Sequence, residues 1–374
     1  MSYQSSIRIF HIGDFHLDSP LSGLDVRTSD IRRAEHREVF VSALKRAVEE
    51  KCDVVLISGD LFDCGYVSGE TVDIVFDALK KCPLPIVISP GNHDPYTPTG
   101  IYAKKSLPEN VYVFASEEMG RFDLDEIGVS VHGYAFTSNR YLRNPLSDGY
   151  TLKEGYINLL CAHSELDEII PKFAPINRSQ LENSGFAYVA LGHVHKHSDA
   201  QVTGKTTYSY SGFAVGRSFD ELGFGRGLIV TVDRESELAS VEPVTLSDKR
   251  YVIEKLDING AEQSVEVATR IAAFVKEKGY GKETSLRIVL GGAVAPTLKL
   301  PTLSASDLGL ALLQIEDNTL PIFAAEYLEN DISLRGALYR QLLPKMRSDD
   351  ENERKVAAEA LRIGLCALEG KSFL

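Results

Sequence analysis

Residues 187–199 read AYVALGHVHKHSD. An apolar run of the length of one buried strand stops at Gly192, and imidazoles follow at His193, His195 and His197. In an extended chain His193 and His195 share a face while Val194 points away. Two neutral imidazoles on a loop after a strand have the chemistry of metal ligands. Taken alone, a solvated turn that happens to contain histidines accounts for the stretch equally well, so the rest of the chain has to decide.

The same punctuation recurs upstream, in IRIFHIG (7–13), DVVLISG (53–59), PIVISPG (85–91) and INLLCA (157–162). Between the first two lies DIRRAEHREVFVSALKRAVEEK (30–51), where Phe40, Ala43, Leu44, Ala47 and Val48 recur at helical spacing. TVDIVFDALKKC (71–82) reads as a second amphipathic helix, closed by Pro83. Strand alternating with helix predicts βαβ units and a mostly parallel inner sheet, hence an α/β fold. TTYSYSGF (206–213) and GLIVTVD (227–233) are expected to continue it with antiparallel strands. A boundary near residue 250 separates a domain at 1–250 from a small α+β module at 251–330. That module is read from YVIEKLDI (251–258), a helix over 261–281, SLRIVLGGAV (285–294) and LPIFAAEYLE (320–329), the last as one more strand. Residues 331–374 read as a helical tail, with Val356, Ala357, Ala360, Leu361, Leu365 and Leu368 on one face.

The 374 residues are 44% apolar and 25% charged, as in an ordinary soluble protein, and no apolar stretch reaches membrane-spanning length. The start, MSYQSSIRIF, lacks the basic and apolar segments of a secretory signal, and Cys52, Cys64, Cys82, Cys161 and Cys366 form no CxxC pair. The expectation is therefore a cytoplasmic chain with reduced thiols and no membrane association. The net charge is −13, of which the first 250 residues carry −10 (25 Lys/Arg against 35 Asp/Glu). That balance suits divalent cations and opposes a broad basic surface for phosphate backbones.

Each apolar run ends in metal-ligand chemistry. Asp14 and His16 follow the first, Asp60 the second, Asn92, His93 and Asp94 the third, His163 the fourth, and His193 and His195 the last. The carboxyl ends of strands in an α/β sheet form its ligand crevice, so these residues should converge. Asp, His and one Asn suit Mn, Fe or Zn in an open site, and the absence of Cys disfavours structural zinc. Seven candidate ligands exceed the needs of one open ion and fit two that share a carboxylate, the arrangement that clamps an in-line displacement at phosphorus.

In this order the blocks GDFH (13–16), GDLFD (59–63), GNHD (91–94), AHSE (162–165) and GHVH (192–195) resemble the signature of the calcineurin-like metallophosphoesterases. The wider text DFHLDSP, SGDLFD, PGNHD and ALGHVHK is similar to their DNA repair exonuclease branch, the SbcD-like and YhaO-like proteins. The resemblance implies a two-sheet sandwich flanked by helices, followed by a small capping domain. It implies one divalent ion held by Asp14, His16, Asp60 and His195, and a second held by Asp60, Asn92, His163 and His193. It makes His93 the catalytic histidine, oriented by Asp94, with a metal-bound hydroxide as nucleophile. It also implies Mn-dependent cleavage of DNA, help from an SbcC-like ATPase subunit, and a homodimer as an open alternative. A phosphodiesterase acting on nucleotides or other small phosphoesters fits the same motif, because the motif specifies phosphoester chemistry and not the ester.

Four other histidines receive plainer readings. His11 and His132 read as satisfied sheet histidines, His36 as a polar position on its helix, and His197 as part of a solvated loop. TSNRYLRN (137–144) offers Arg140, Tyr141 and Arg143 as a nucleic-acid grip, a weaker reading than an ordinary loop.

Overall fold

The computed structural model describes residues 3–370 except 23, 64, 66, 148, 296–297, 322–324 and 369. The chain forms two compact units, Met1–Arg250 and Tyr251–Leu374. In the first, β1 (Ser6–Ile12), α1 (Val26–Glu49), β2 (Val54–Ile57), α2 (Gly69–Lys81), β3 (Ile86–Ile88), the short α3 (Ile101–Lys104) and β4 (Val111–Val113) follow one another. Then come β5 (Gly120–Leu124), β6 (Val129–Gly133), β7 (Ile157–His163), α4 (Arg178–Glu182), β8 (Tyr188–Gly192), β9 (Gln201–Thr203), β10 (Thr206–Tyr210), β11 (Gly223–Asp233) and β12 (Ala239–Asp257). The unit boundary falls inside β12.

Two sheets face each other in the first unit. One has the order β12-β11-β1-β2-β3-β4 and the other β5-β6-β7-β8-β10-β9. Strand alternation sorts the side chains. In β1 and β2, Ile9, Val54 and Leu56 point between the sheets, where they meet Val131, Leu159, Cys161 and Ala190. Their neighbours Phe10, Val55 and Ile57 point the other way, onto Phe40, Leu44, Val75 and Leu79 of α1 and α2. Both faces of the inner strands are covered, which is why those runs are continuously apolar. The outer face of the second sheet packs Leu160, Ala162, Val189 and Leu191 against Tyr134, Phe136, Tyr141, Leu181 and Phe186, a layer built mostly from loop. The inner strands are parallel as expected, β1 to β2 to β3 to β4 and β6 to β7 to β8. The expected antiparallel continuation is only half right. β11 pairs antiparallel with β1, whereas β10 runs parallel to β8 and antiparallel only to β9.

The second unit contains α5 (Ser264–Glu277), β13 (Thr284–Gly291), β14 (Ala293–Val294), β15 (Leu312–Asp317), β16 (Leu320–Pro321), α6 (Ala325–Asn330), α7 (Leu334–Met346) and α8 (Glu351–Leu368). Val267, Ile271 and Val275 of α5 bury against Leu286, Ile288 and Leu290 of β13, which pairs parallel with β15. Leu328, Tyr339, Leu361 and Leu365 form a separate helical core. The expected strand over 320–329 is corrected. Leu320–Pro321 is strand and Ala325–Asn330 is helix, while residues 322–324 lie outside the described residues. On α8, Ala357, Leu361 and Leu365 are buried as a face, while Val356, Ala360 and Leu368 are exposed. Cys52, Cys82, Cys161 and Cys366 are free and buried, and Cys64 lies outside the described residues. No described helix is long and apolar enough to cross a membrane.

Candidate metal centre

The loops after β1 and β2 are laced together beyond the end of the ladder. Asp14 N donates to Gly59 O (3.1 Å), His16 N to Asp60 O (2.9 Å) and Leu17 N to Leu61 O (3.0 Å). Between the two ligand candidates, Phe15 is fully buried and packs edge-on against Phe40 of α1, with ring centroids 5.3 Å apart. Phe15 thus anchors the loop in the helix-side core while Asp14 and His16 turn toward the second sheet's strand ends. Asp14, His16, Asp60 and His193 all adopt positive φ (49°, 45°, 49° and 97°). This left-handed backbone costs non-glycine residues of order 1–3 kcal/mol each and persists where surroundings impose it, often at functional sites. Glycine is required beside them. A Cβ on Gly59 would sit 2.4 Å from His163 Nδ1, and one on Gly91 would sit 2.2 Å from Asp60 Oδ1.

Six expected residues offer ligand atoms close enough to share an ion: Asp14 with His16 and His195, Asp14 with Asp60 and His163, and His16 with Asp60 and His93. Asp60 Oδ2 lies 3.5 Å from His16 Nε2 and 3.3 Å from His163 Nε2, midway between two imidazoles. Asn92 Oδ1 joins at 2.9 Å from His163 Nε2. His193 is held differently. Its backbone N–H donates to both Asp14 carboxylate oxygens, and its ring lies 5.1 Å from that of His163, centroid to centroid. The His195 ring lies 4.8 Å from that of His16, centroid to centroid. The two histidines of GHVH therefore turn to different neighbours.

Hydrogen bonds from behind fix which nitrogen of His163 and of His195 faces the pocket. His163 Nδ1 is 2.9 Å from Ser58 O, which can only accept, so the proton sits on Nδ1 and Nε2 faces the oxygens of Asn92 and Asp60. His195 Nδ1 is 2.8 Å from Glu221 Oε1, while Arg217, also 3.0 Å away, is already bound to Glu221 at 2.6 Å. The proton on Nδ1 then goes to Glu221, and His195 Nε2 meets His16 Nε2 at 3.0 Å. Imidazole nitrogens and carboxylate oxygens gathered in a buried pocket, with a carbonyl holding His163 and a carboxylate holding His195 from behind, suit a divalent cation. The field points the same way. Burial opposes a charge on His163, yet Asp60 and Asp14 hold its pKa up to about 9, so the pocket draws in positive charge. Burial raises Asp14, whereas Asp60 is held low against its own burial by His163 and His16. The donor set of carboxylate, imidazole and amide fits hard and borderline divalent ions.

A family model described as calcineurin-like phosphoesterase matches residues 7–197, within the first unit. The chain belongs to the calcineurin-like phosphoesterase family. It is 28% identical to the uncharacterized metallophosphoesterase YhaO of Bacillus subtilis over 51% of this chain, so the match spans about half, 49%, of that relative. It is 25% identical to the DNA double-strand break repair protein Mre11 of Sulfurisphaera tokodaii, covering 70% of this chain and 68% of that one. It is 22% identical to the SbcD subunit of the nuclease SbcCD of Bacillus subtilis, covering 69% and 74%. Membership supports a metal-dependent phosphoesterase, and the ligand clusters support a divalent metal site.

Within this calcineurin-like centre, His93 stands at the rim with its Nδ1 2.6 Å from Asp63 Oδ1, and its backbone N–H donates to Asp60 Oδ1 (2.9 Å). The hydrogen bond to Asp63 is the main reason that its pKa is raised. The expectation that Asp94 orients His93 is corrected. Asp94 turns inward, accepts from the backbone N–H groups of Asp60, Leu61, Phe62 and Gly91, and takes the Tyr102 hydroxyl at 2.6 Å. Its carboxylate is saturated by the loop that carries Asp60, so it shapes the ligand loop and leaves His93 to Asp63. Burial beside Asp60 pushes Asp94 up to about 6.

Sequence reasoning missed Asp63, Glu221 and Arg217. Asp63 was within reach, being the last residue of GDLFD, three after Asp60. Glu221 and Arg217 carry no spacing that ties them to His195. Among the other histidines, His11 is satisfied by Tyr188 Oη (2.9 Å) and Ser58 Oγ (3.0 Å), and His132 bonds Asn158 Oδ1 at 3.1 Å. His36 is not a surface position. It is 1% exposed with neither ring nitrogen hydrogen-bonded, and burial lowers its pKa to about 3. His197 is not a free loop residue either, since its ring lies between Ser211 O and Phe224 O, 3.1 Å from each. Tyr141 cannot grip a base. It is 2% exposed, and its hydroxyl donates to Glu117 O.

Proposed function

We propose that this chain is a Mn-dependent DNA nuclease of DNA repair, using two ions to hydrolyse phosphodiester bonds. The observation that carries the reading is the convergence of residues from five separate strand ends on one buried pocket with Asp60 between two imidazoles. The DNA substrate is supported by the names of the Mre11 and SbcCD relatives. Asp14, His16, Asp60 and His195 would hold one ion, and Asp60, Asn92, His163 and His193 the other. Bound divalent cations would lower the pKa of an attacking water and neutralise charge building on the phosphoryl oxygens. The chain's own work is proton handling and positioning. His93, whose pKa the hydrogen bond to Asp63 raises, would donate to the departing oxygen. Glu221 and Ser58 O fix the tautomers of His195 and His163. An SbcC-like ATPase partner would supply much of the DNA grip that a chain of net charge −13 lacks, and residues 251–330 would act as a cap.

A second reading, a phosphodiesterase of small nucleotides, is favoured by one feature. A cavity of about 310 Å³ beside His93, walled by Phe62, Val67, Pro95 and Ile101, has room for a small leaving group. The test is Mn-dependent cleavage of end-labelled DNA beside hydrolysis of bis(p-nitrophenyl) phosphate, with His93→Ala as control. Cleavage of both substrates, lost in the variant, is expected. Hydrolysis of the small diester with no DNA cleavage would favour the second reading.

A further inference from the structure

The metal centre is recessed. Asp14, His16 and His163 are fully buried and Asp60 is 2% exposed, so the centre meets solvent through a rim of Asn92, His93, His193 and His195. A phosphate that reaches these residues passes through the mouth that this rim surrounds. At that mouth the loop 166–173 carries two consecutive isoleucines that stand in solvent, Ile169 (94% exposed) and Ile170 (75%), followed by Pro171.

Rigid contacts hold the root of this loop on the metal centre. Glu165 N donates to Phe173 O (3.0 Å), Phe173 N returns a bond to Glu165 Oε1 (2.9 Å), and Leu166 pairs with Ile176. The Phe173 ring lies 4.6 Å from the His193 ring. Three residues of chain span at most about 11 Å, so Ile170 cannot stand farther than that from Phe173. A bridge between Tyr141 and Phe173 joins this loop to its neighbour, which presents exposed Leu142 (63%) between exposed Arg140 and Arg143. Exposed Lys172 adds a third cation to these two joined loops, whose exposed carboxylates are Asp167, taken by Arg178 at 3.0 Å, and Glu168 beside Ile169.

We propose that Ile169 and Ile170 form a strand-separating wedge that enters the end of a DNA duplex, with Arg140, Arg143 and Lys172 on the phosphates of the parted strands. Aliphatic side chains inserted between base steps unstack them at a cost of a few kcal/mol per step, offset by the protein surface that the opened DNA then covers. Cations on the joined loops meet the polyanion where its strands diverge. The wedge rests on the nuclease reading and adds to it a substrate form, the duplex end.

The test compares the wild-type chain with the I169S/I170S variant in Mn on three substrates: a blunt duplex, a single strand of the same sequence, and bis(p-nitrophenyl) phosphate. Both isoleucines are solvent-exposed, so the small diester reports that the centre is intact. Expected is a loss of about ten-fold or more on the blunt duplex, with the other two substrates within about two-fold. A duplex with several unpaired nucleotides at its end should recover the lost cleavage. Equal duplex-to-single-strand ratios in the two proteins would overturn the wedge, and a tip that docks another protein would give that result. Equal loss on all three substrates would make the loop part of the centre and also overturn it. Wild-type hydrolysis of the small diester with no DNA cleavage would remove the nuclease reading itself, and the wedge with it.

Discussion

In the proposed chemistry Asp63 acts through His93 and is not itself a ligand. Its carboxylate holds His93 Nδ1 at 2.6 Å and faces His16 Nδ1 at 3.6 Å. Because Asp63 raises the His93 pKa, His93 stays in its acid form to higher pH than a free imidazole. Asp63→Asn should therefore lower turnover by about 10–100-fold and move the alkaline limb of the pH–rate profile downward. An unmoved limb would separate Asp63 from proton transfer. A second expectation concerns the metal-free chain. His163 is raised from 6.5 to about 9, so its contribution to stability is complete below 6.5 and is lost as pH rises through 9. Thermal midpoints of EDTA-treated protein should fall across that window, and Mn binding near neutral pH should release protons, measurable by calorimetry in buffers of different ionisation enthalpy. At this scale the ligand types were legible, because each stands directly after an apolar run. The partner of His93 was not, because the adjacent Asp94 offered itself, and only the turned-in geometry of the GNHD loop sends it to the backbone of Asp60.

Elements place these residues by burying what lies between them. Phe15 separates Asp14 from His16 and is held by Phe40 of α1. Phe15→Ala should cost about 3–5 kcal/mol of stability in denaturant titration and weaken metal affinity in parallel. A destabilised chain with unchanged metal affinity would mean that the loop keeps its shape without the anchor. Strand and helix runs in the first 250 residues were readable because the inner strands are buried on both faces and α1 and α2 on one. The short strands β4, β5 and β9 were not, since three to five residues establish little periodicity. LPIFAAEYLE looked like a strand because a short apolar run is ambiguous; β16 ends at Pro321, and Ala325–Asn330 turns helical.

At the level of the molecule, charge and division into units set the terms. The boundary near 250 was visible because the strand-end pattern stops there, and the structure divides between Arg250 and Tyr251. Tyr339, Leu361 and Leu365 of the tail bury with Leu328 in a core of their own within the second unit. Deleting residues 331–374 should leave hydrolysis of a small chromogenic phosphodiester intact; its loss would show that the catalytic unit needs the tail. What the composition could not reveal is that an acidic chain presents exposed Arg140, Arg143 and Lys172 on two loops that the Tyr141–Phe173 bridge joins. In the proposed centre, strand-end residues hold the metal together, with Asp60 shared between its halves. Bound Mn in the purified wild-type and Asp60→Ala chains tests it most directly. About two equivalents in the wild type and near-complete loss in the variant are expected. Full metal content in Asp60→Ala, or none in the wild type, would contradict the account.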